Sequence, residues 1–316
     1  MILHILLLIV GFVLLIKGAD FFVDGASSTA ENFKISKMLI GLTIIAFGTS
    51  APEFAVSMQA LAKGSTDMVL GNVIGSNILN ILLILGVAAA INPIKIKDNT
   101  VKKELPLCML ISTLLVVLFL DIKLANGLVN EITRSDAIVI LLFFSIFIYY
   151  LASLVKAKEK EKVGKPKYKL GKSLVLVAIG LAGIIFGSNL VVEHAKGIAT
   201  ILGLSDHIIA LTIIALGTSL PELVTTIVAS IKKEQDLLLG NIIGSNIFNA
   251  CVVLGIPVAI FGTITPSGFN YVDLMMLLLT SFILFIFAET KRQITRIEGI
   301  LLLIGFIAYY TIVFII

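Results

Sequence analysis

The chain has 316 residues, 58% of them hydrophobic and 14% charged, with a formal net charge of +4 and a mean hydropathy of +1.09. That is more apolar surface than a soluble core of this length can hide, so the composition excludes a soluble globular protein and points to an all-α integral membrane protein. The excess of Lys and Arg does not call for nucleic acid, because the basic residues concentrate in alternate loops.

Crossing a hydrocarbon core of ~30 Å takes roughly 17 to 25 apolar residues at 1.5 Å each. Ten such runs are present, at 2–28, 38–62, 68–91, 105–121, 135–155, 171–199, 206–231, 237–262, 271–288 and 297–316. They are rich in Leu and Ile and lack alternation of period two, which predicts helices rather than barrel strands.

The first run has no basic leader and no small-residue cleavage site, and reads as a retained helix. It carries "GADFFVDGA" (18–26), echoed in the sixth run by "GSNLVVEHA" (187–195). Asp20, Asp24 and Glu193 in these phrases read as end-of-helix charges facing water, with an outer cation vestibule as the alternative. The second run holds "LTIIAFGTSAPEF" (42–54), which puts Pro52 and Glu53 near mid-membrane. In the third, "LGNVIGSNILNILLILG" (70–86), Asn72, Ser76 and Asn80 fall at i, i+4 and i+8 on one helical face. Gly71 and Gly75 beside them, like Gly240 and Gly244 in the eighth run, predict a surface where a neighbouring backbone comes close.

The fourth run contains Cys108 and the eighth Cys251, neither at a metal or redox spacing, so both read as packing residues. The fifth ends in an aromatic cluster that suits a membrane interface. After it comes "KAKEKEKVGKPKYKLGK" (156–172) with eight Lys. Placing that linker in the cytoplasm puts 19 of the loop Lys and Arg on its side and 4 on the other, Lys63, Lys123, Arg134 and Lys196. By the positive-inside rule both termini then lie outside, with residues 156–170 inside. His4, His194 and His207 fall near membrane edges.

The seventh and eighth runs repeat the second and third. "LTIIALGTSLPEL" (211–223) matches 42–54 at ten of thirteen positions, and "LGNIIGSNIFNACVVLG" (239–255) matches 70–86 at eleven of seventeen, at a constant offset of 169. Five runs per repeat is an odd number, so the second repeat (171–316) enters the membrane inverted relative to the first (1–155). This is the plan of secondary transporters.

A carboxylate at mid-membrane costs at least a few kcal/mol, and two at matching places require a reason. Pro52 and Pro221 free the carbonyls of Gly48 and Gly217. Thr49, Ser50, Thr218 and Ser219 add hydroxyls, and Asn241, Ser245 and Asn249 repeat the stripe of Asn72, Ser76 and Asn80. Every group is a hard oxygen donor. Two carboxylates among neutral oxygens suit one Ca²⁺, or sodium ions in its place, whereas zinc or copper would take His or Cys. Asn77 and Asn246, off the stripe, read equally well as ion-lining groups or as hydrogen bonds between helices. The plainer alternative for the Glu-Pro motifs is a pair of structural kinks.

"GTSAPE" and "GTSLPE", each followed by "GNVIGSNILN" or "GNIIGSNIFN", resemble the two alpha repeats of the cation/calcium antiporter superfamily, most closely its sodium/calcium exchangers. The resemblance covers both motif pairs, the ten-helix plan and the central linker. It implies that Glu53 and Glu222 share a calcium ion with the backbone oxygens of Thr49 and Thr218. It further implies sodium sites formed by Ala46, Ser50 and Ser245 with Glu222, and by Ala215, Ser219 and Ser76 with Glu53, with Asn80 and Asn249 lining the centre. Potassium-dependent members carry Asp at the position of Asn249, and proton-coupled ones a further Glu in this helix. The neutral amides here favour sodium coupling without potassium.

The expectation is a cell-membrane sodium/calcium antiporter working by alternating access. It is not an enzyme, and needs no cofactor and no obligatory protein partner. A proton/calcium antiporter, a calcium-permeable channel and a non-transporting calcium-binding scaffold remain the alternatives.

Overall fold

A computed structural model describes residues 1–120, 129–156, 165–203, 215–265 and 271–315. Lys123, His207, Ile316, linker residues 157–164 and the start of the seventh run lie outside the described residues, as does the side chain of Ala215. The described chain is helical apart from one two-stranded ladder and one isolated bridge. The helices are α1 (Ile2–Phe33), α2 (Lys37–Thr49), α3 (Ala51–Ala62), α4 (Thr66–Ile91), α5 (Leu105–Leu118) and α6 (Arg134–Lys156). They continue with α7 (Leu170–Ile201), α8 (Ala215–Thr218), α9 (Leu220–Ile231), α10 (Gln235–Phe261), α11 (Tyr271–Lys291) and α12 (Arg296–Ile315).

Among the described residues, seven helices are long and apolar enough to cross a membrane, or eight if α2 and α3, bent by 45° at their junction, form one span. The fourth and seventh runs are represented by the shorter α5 and α9. The apolar windows of α4 and α10 are 72% and 83% buried, against 17 to 33% for the other five, so the motif helices are the protein-packed ones. Large apolar side chains such as Leu3, Leu142, Phe186 and Ile304 stay exposed, which in a membrane means contact with lipid.

Contacts divide the chain into two compact units, each built from both halves of the sequence. One comprises Met1–Pro52 and Lys158–Asn241, the other Glu53–Ala157 and Ile242–Ile316. In the first unit, α1 and α7 run antiparallel along most of their 32 residues. Their approach is backbone to backbone: a Cβ built on Gly18 would stand 2.8 Å from the carbonyl oxygen of Gly180, and one on Gly180 2.5 Å from the amide nitrogen of Phe22. Gly11, Gly18 and Gly25 recur every seven residues along this seam, so small residues let dispersion contacts drive pairing where lipid offers no hydrophobic force.

One end of the same unit carries a charge network. Lys232 bridges Asp20 and Asp24 at 2.6 Å each, Lys167 reaches Asp24 at 2.7 Å, and Lys37 joins Glu234 at 2.8 Å and Glu31 at 3.2 Å. Asp20 and Asp24 are therefore ion-paired rather than bare charges, Asp24 the more deeply held of the two. Basic groups from distant stretches of chain, Lys167 of the linker among them, neutralise both.

In the second unit, β1 (Ile94–Lys95) and β2 (Gln293–Ile294) pair antiparallel, and Ile132 bridges Ile264 elsewhere. Each pairing joins two loops that the charge distribution assigns to one side of the membrane. The helices that follow Thr133 and Thr295 start on the same device. Asp136 accepts from the Thr133 amide at 2.8 Å, and Glu298 from the Thr295 amide at 2.7 Å, while each threonine hydroxyl accepts a backbone N–H in return.

Candidate functional site

Both Glu-Pro motifs break the helix one residue earlier than the prolines alone would suggest. Helix α2 ends at Thr49 and α8 at Thr218. Ser50 (φ −84°, ψ 7°) and Ser219 (φ −85°, ψ 3°) then take the same non-helical conformation before α3 and α9 restart. Pro52 and Pro221 thus sit in first turns, where a missing N–H is tolerated. Glu53 and Glu222 follow directly and are 0% and 2% exposed. The carbonyl of Gly217, which Pro221 cannot bond, accepts from Ser188 of α7 at 3.1 Å.

In the first unit, the Ser50 hydroxyl donates to Glu222 Oε1 at 2.8 Å, so the pair expected to share an ion is in contact. Glu222 Oε2 and Ser219 Oγ are buried without a hydrogen-bond partner among the described residues. Thr49 Oγ1 lies 3.2 Å from Asn241 Oδ1, and the Asn241 amide donates to Thr226 Oγ1 at 3.0 Å. Ala46 is buried and Thr218 partly buried.

In the second unit, the Asn72 amide donates to the Glu53 carbonyl and to Ser57 Oγ, both at 2.9 Å. Ser57 and Thr226 are 169 positions apart, so each repeat ties its two motif helices with the same Asn-to-hydroxyl bond. Neither hydroxyl was singled out from sequence, although carrying the repeat three residues further would have aligned them. Asn80 donates to Asn246 Oδ1 at 2.9 Å, and Asn249 to Ser76 Oγ at 3.1 Å. With their N–H groups engaged, Asn80 Oδ1 and Asn249 Oδ1 are left as buried acceptors without a partner among the described residues. Asn77 and Asn246 donate to each other's backbone carbonyls, at 3.2 and 3.4 Å, and so bond α4 to α10, while Asn77 Oδ1, like the Oδ1 atoms of Asn80 and Asn249, is buried without a partner among the described residues. Ser76 and Ser245 are buried, as are Cys108 and Cys251, whose thiols are free.

Two features were not expected. Asn80 and Asn249 each open a π-helical turn, Asn80–Leu85 and Asn249–Val253, and two more span Gly41–Ile45 and, outside the motifs, Thr100–Glu104. Such turns misalign the backbone ladder and recur at functional sites. The role expected of Gly71 and Gly75 is also corrected. A Cβ on either meets nothing within 4 Å, because both border a 190 Å³ cavity lined by Asp67, Asp273 and Tyr309. The close approach expected of Gly240 is present, since a Cβ there would stand 2.7 Å from the Met38 carbonyl oxygen.

Among the described residues, no three His, Cys, Asp or Glu side chains gather as a metal centre. What the motifs assemble is carboxylate, hydroxyl and amide oxygen, donors for hard cations.

The model of the sodium/calcium exchanger protein family matches residues 3–153 and 172–315. The chain is 41% identical, over 97% of both sequences, to CaxA of Alkalimonas amylolytica, named as a candidate antiporter. It is 30% identical to the sodium/calcium exchanger MaX1 of Methanosarcina acetivorans over 98% of each. A solved structure of the sodium-calcium exchanger NCX_Mj superposes with a TM-score of 0.84 at 35% identity, covering all of this chain and 98% of that one. With matches that run the length of the molecule and pass through both motif pairs, the chain belongs to the sodium/calcium exchanger family.

Proposed function

We propose that this protein exchanges sodium for calcium across the cell membrane by alternating access, using inward sodium flow to move calcium out. In this reading ten spans form two inverted five-helix repeats with both termini outside and residues 156–170 inside. Glu53 and Glu222 are the charged ligands of a transported calcium ion, with backbone oxygens of Thr49 and Thr218. Ala46, Ser50, Ser245 and Glu222, and Ala215, Ser219, Ser76 and Glu53, serve sodium, with Asn80 and Asn249 between them.

The observation that carries this reading is the state of Glu222: a buried carboxylate with one oxygen held by Ser50 and the other without a hydrogen-bond partner, beside the equally unpartnered Ser219 Oγ. A buried carboxylate in such company is expensive unless a cation arrives. Calcium and sodium then compete for the same charges. With no ion bound, the two carboxylates resist crossing the membrane midplane, which enforces exchange over leak.

Proton coupling is the second reading, since a buried carboxylate can carry a proton in place of sodium. The neutral amides of Asn80 and Asn249 favour sodium. The test is radioactive calcium uptake into sodium-loaded proteoliposomes, with external sodium replaced by choline, potassium or a proton gradient. Uptake should require the outward sodium gradient and disappear in Glu53→Gln. Uptake driven by protons alone would make the protein a proton/calcium antiporter, and uptake with no countergradient a channel.

A further inference from the structure

The ends of α1 and α7 remote from the Lys232 network carry a second donor set, chemically unlike the oxygens of the motifs. His4 and His194 face each other with Nδ1 atoms 3.1 Å apart, ring centroids 5.2 Å apart and planes inclined at 66°. They lie 190 positions apart in sequence, so tertiary packing alone unites them. Gly197, one turn beyond His194, provides the room, since a Cβ there would stand 2.3 Å from the His4 ring. His194 is buried and His4 half-buried, which leaves a route in from one side.

At this distance one imidazole donates its proton to the other. The same spacing is that of two neighbouring ligands on one metal ion: nitrogens at about 2.0 to 2.1 Å from the ion stand roughly 2.9 to 3.4 Å apart for angles between square and tetrahedral. We propose that His4 and His194 form a site for a borderline divalent transition metal ion, Cu²⁺, Ni²⁺ or Zn²⁺, bound through the two Nδ1 atoms and completed by water. The ion replaces the shared proton and cross-links α1 to α7. Imidazole nitrogen selects these ions over sodium and calcium, which take oxygen, so the site is separate in place and in preference from the motif carboxylates.

The test uses the full chain, purified without a polyhistidine tag, and Cu²⁺ as probe. Electron paramagnetic resonance should show one bound copper per chain coupled to two nitrogens, and Ni²⁺ or Zn²⁺ should raise the melting temperature, because only the folded pair presents both ligands. His4→Gln and His194→Gln should each weaken copper binding at least tenfold, while Glu53→Gln binds copper as wild type does. Equal binding by the His4→Gln, His194→Gln double variant would overturn the proposal. So would binding retained in His194→Gln, which would place the copper on His4 and the terminal amine. Should His194→Gln fail to fold, two-nitrogen coupling that survives acetylation of the terminal amine and is lost in His4→Gln decides the matter, and a signal with a single coupled nitrogen refutes the site.

Discussion

Ser50 and Glu222 lie 172 positions apart and meet at 2.8 Å. In the proposed function this hydroxyl both orients the carboxylate and serves sodium. Ser50→Ala, which removes one hydrogen bond to a charged group worth about 1.5 to 3 kcal/mol, should raise the half-saturating sodium concentration at least tenfold in the uptake assay. Glu222→Gln, which removes the charge, should abolish calcium uptake. Asn249→Asp adds a third carboxylate beside Ser76, and exchange in that variant should acquire a dependence on potassium or pH that wild type lacks. Such residues were legible because repetition marked them: a polar group in an apolar run is ambiguous once and informative twice. The partners of Asp20 and Asp24 were not legible, since Lys167 and Lys232 reach them only through the tertiary fold and leave no spacing to read.

At the scale of elements, ten apolar runs were visible from hydropathy, yet the way the motif helices are interrupted was not. Proline announces a break but not its residue, and the chain leaves the helix at Ser50 and Ser219. The π-helical turns at Asn80 and Asn249 continue into ordinary apolar sequence, where no residue type signals a wider turn. Glycine shows the same limit, because a small residue can admit a neighbour or simply leave space. Gly240→Ala puts a methyl group 2.7 Å from the Met38 carbonyl oxygen and should abolish the monodisperse peak in size-exclusion chromatography. Gly71→Ala meets open space, so its elution profile should match wild type.

For the whole molecule, the proposed orientation predicts that Lys165→Cys, in a background lacking Cys108 and Cys251, reacts with an impermeant thiol reagent only from the cytoplasmic face. The duplication was readable because it is a property of the chain's order. The division into units was not, since each draws on both halves: residues 1–52 pack with 158–241, and 53–157 with 242–316. That interleaving has a consequence for synthesis. Helix α1 leaves the ribosome well over a hundred residues ahead of α7, an interval of roughly 10 to 30 s at ordinary elongation rates. Throughout it, the seam of Gly11, Gly18 and Gly25 has lipid for company, and no stretch of the nascent first half can stand in for the missing helix. A chain cut within the linker yields two fragments, neither holding a whole unit. Each fragment made alone should therefore be degraded faster than the intact chain in a pulse-chase experiment, and co-expression of the two should slow that loss.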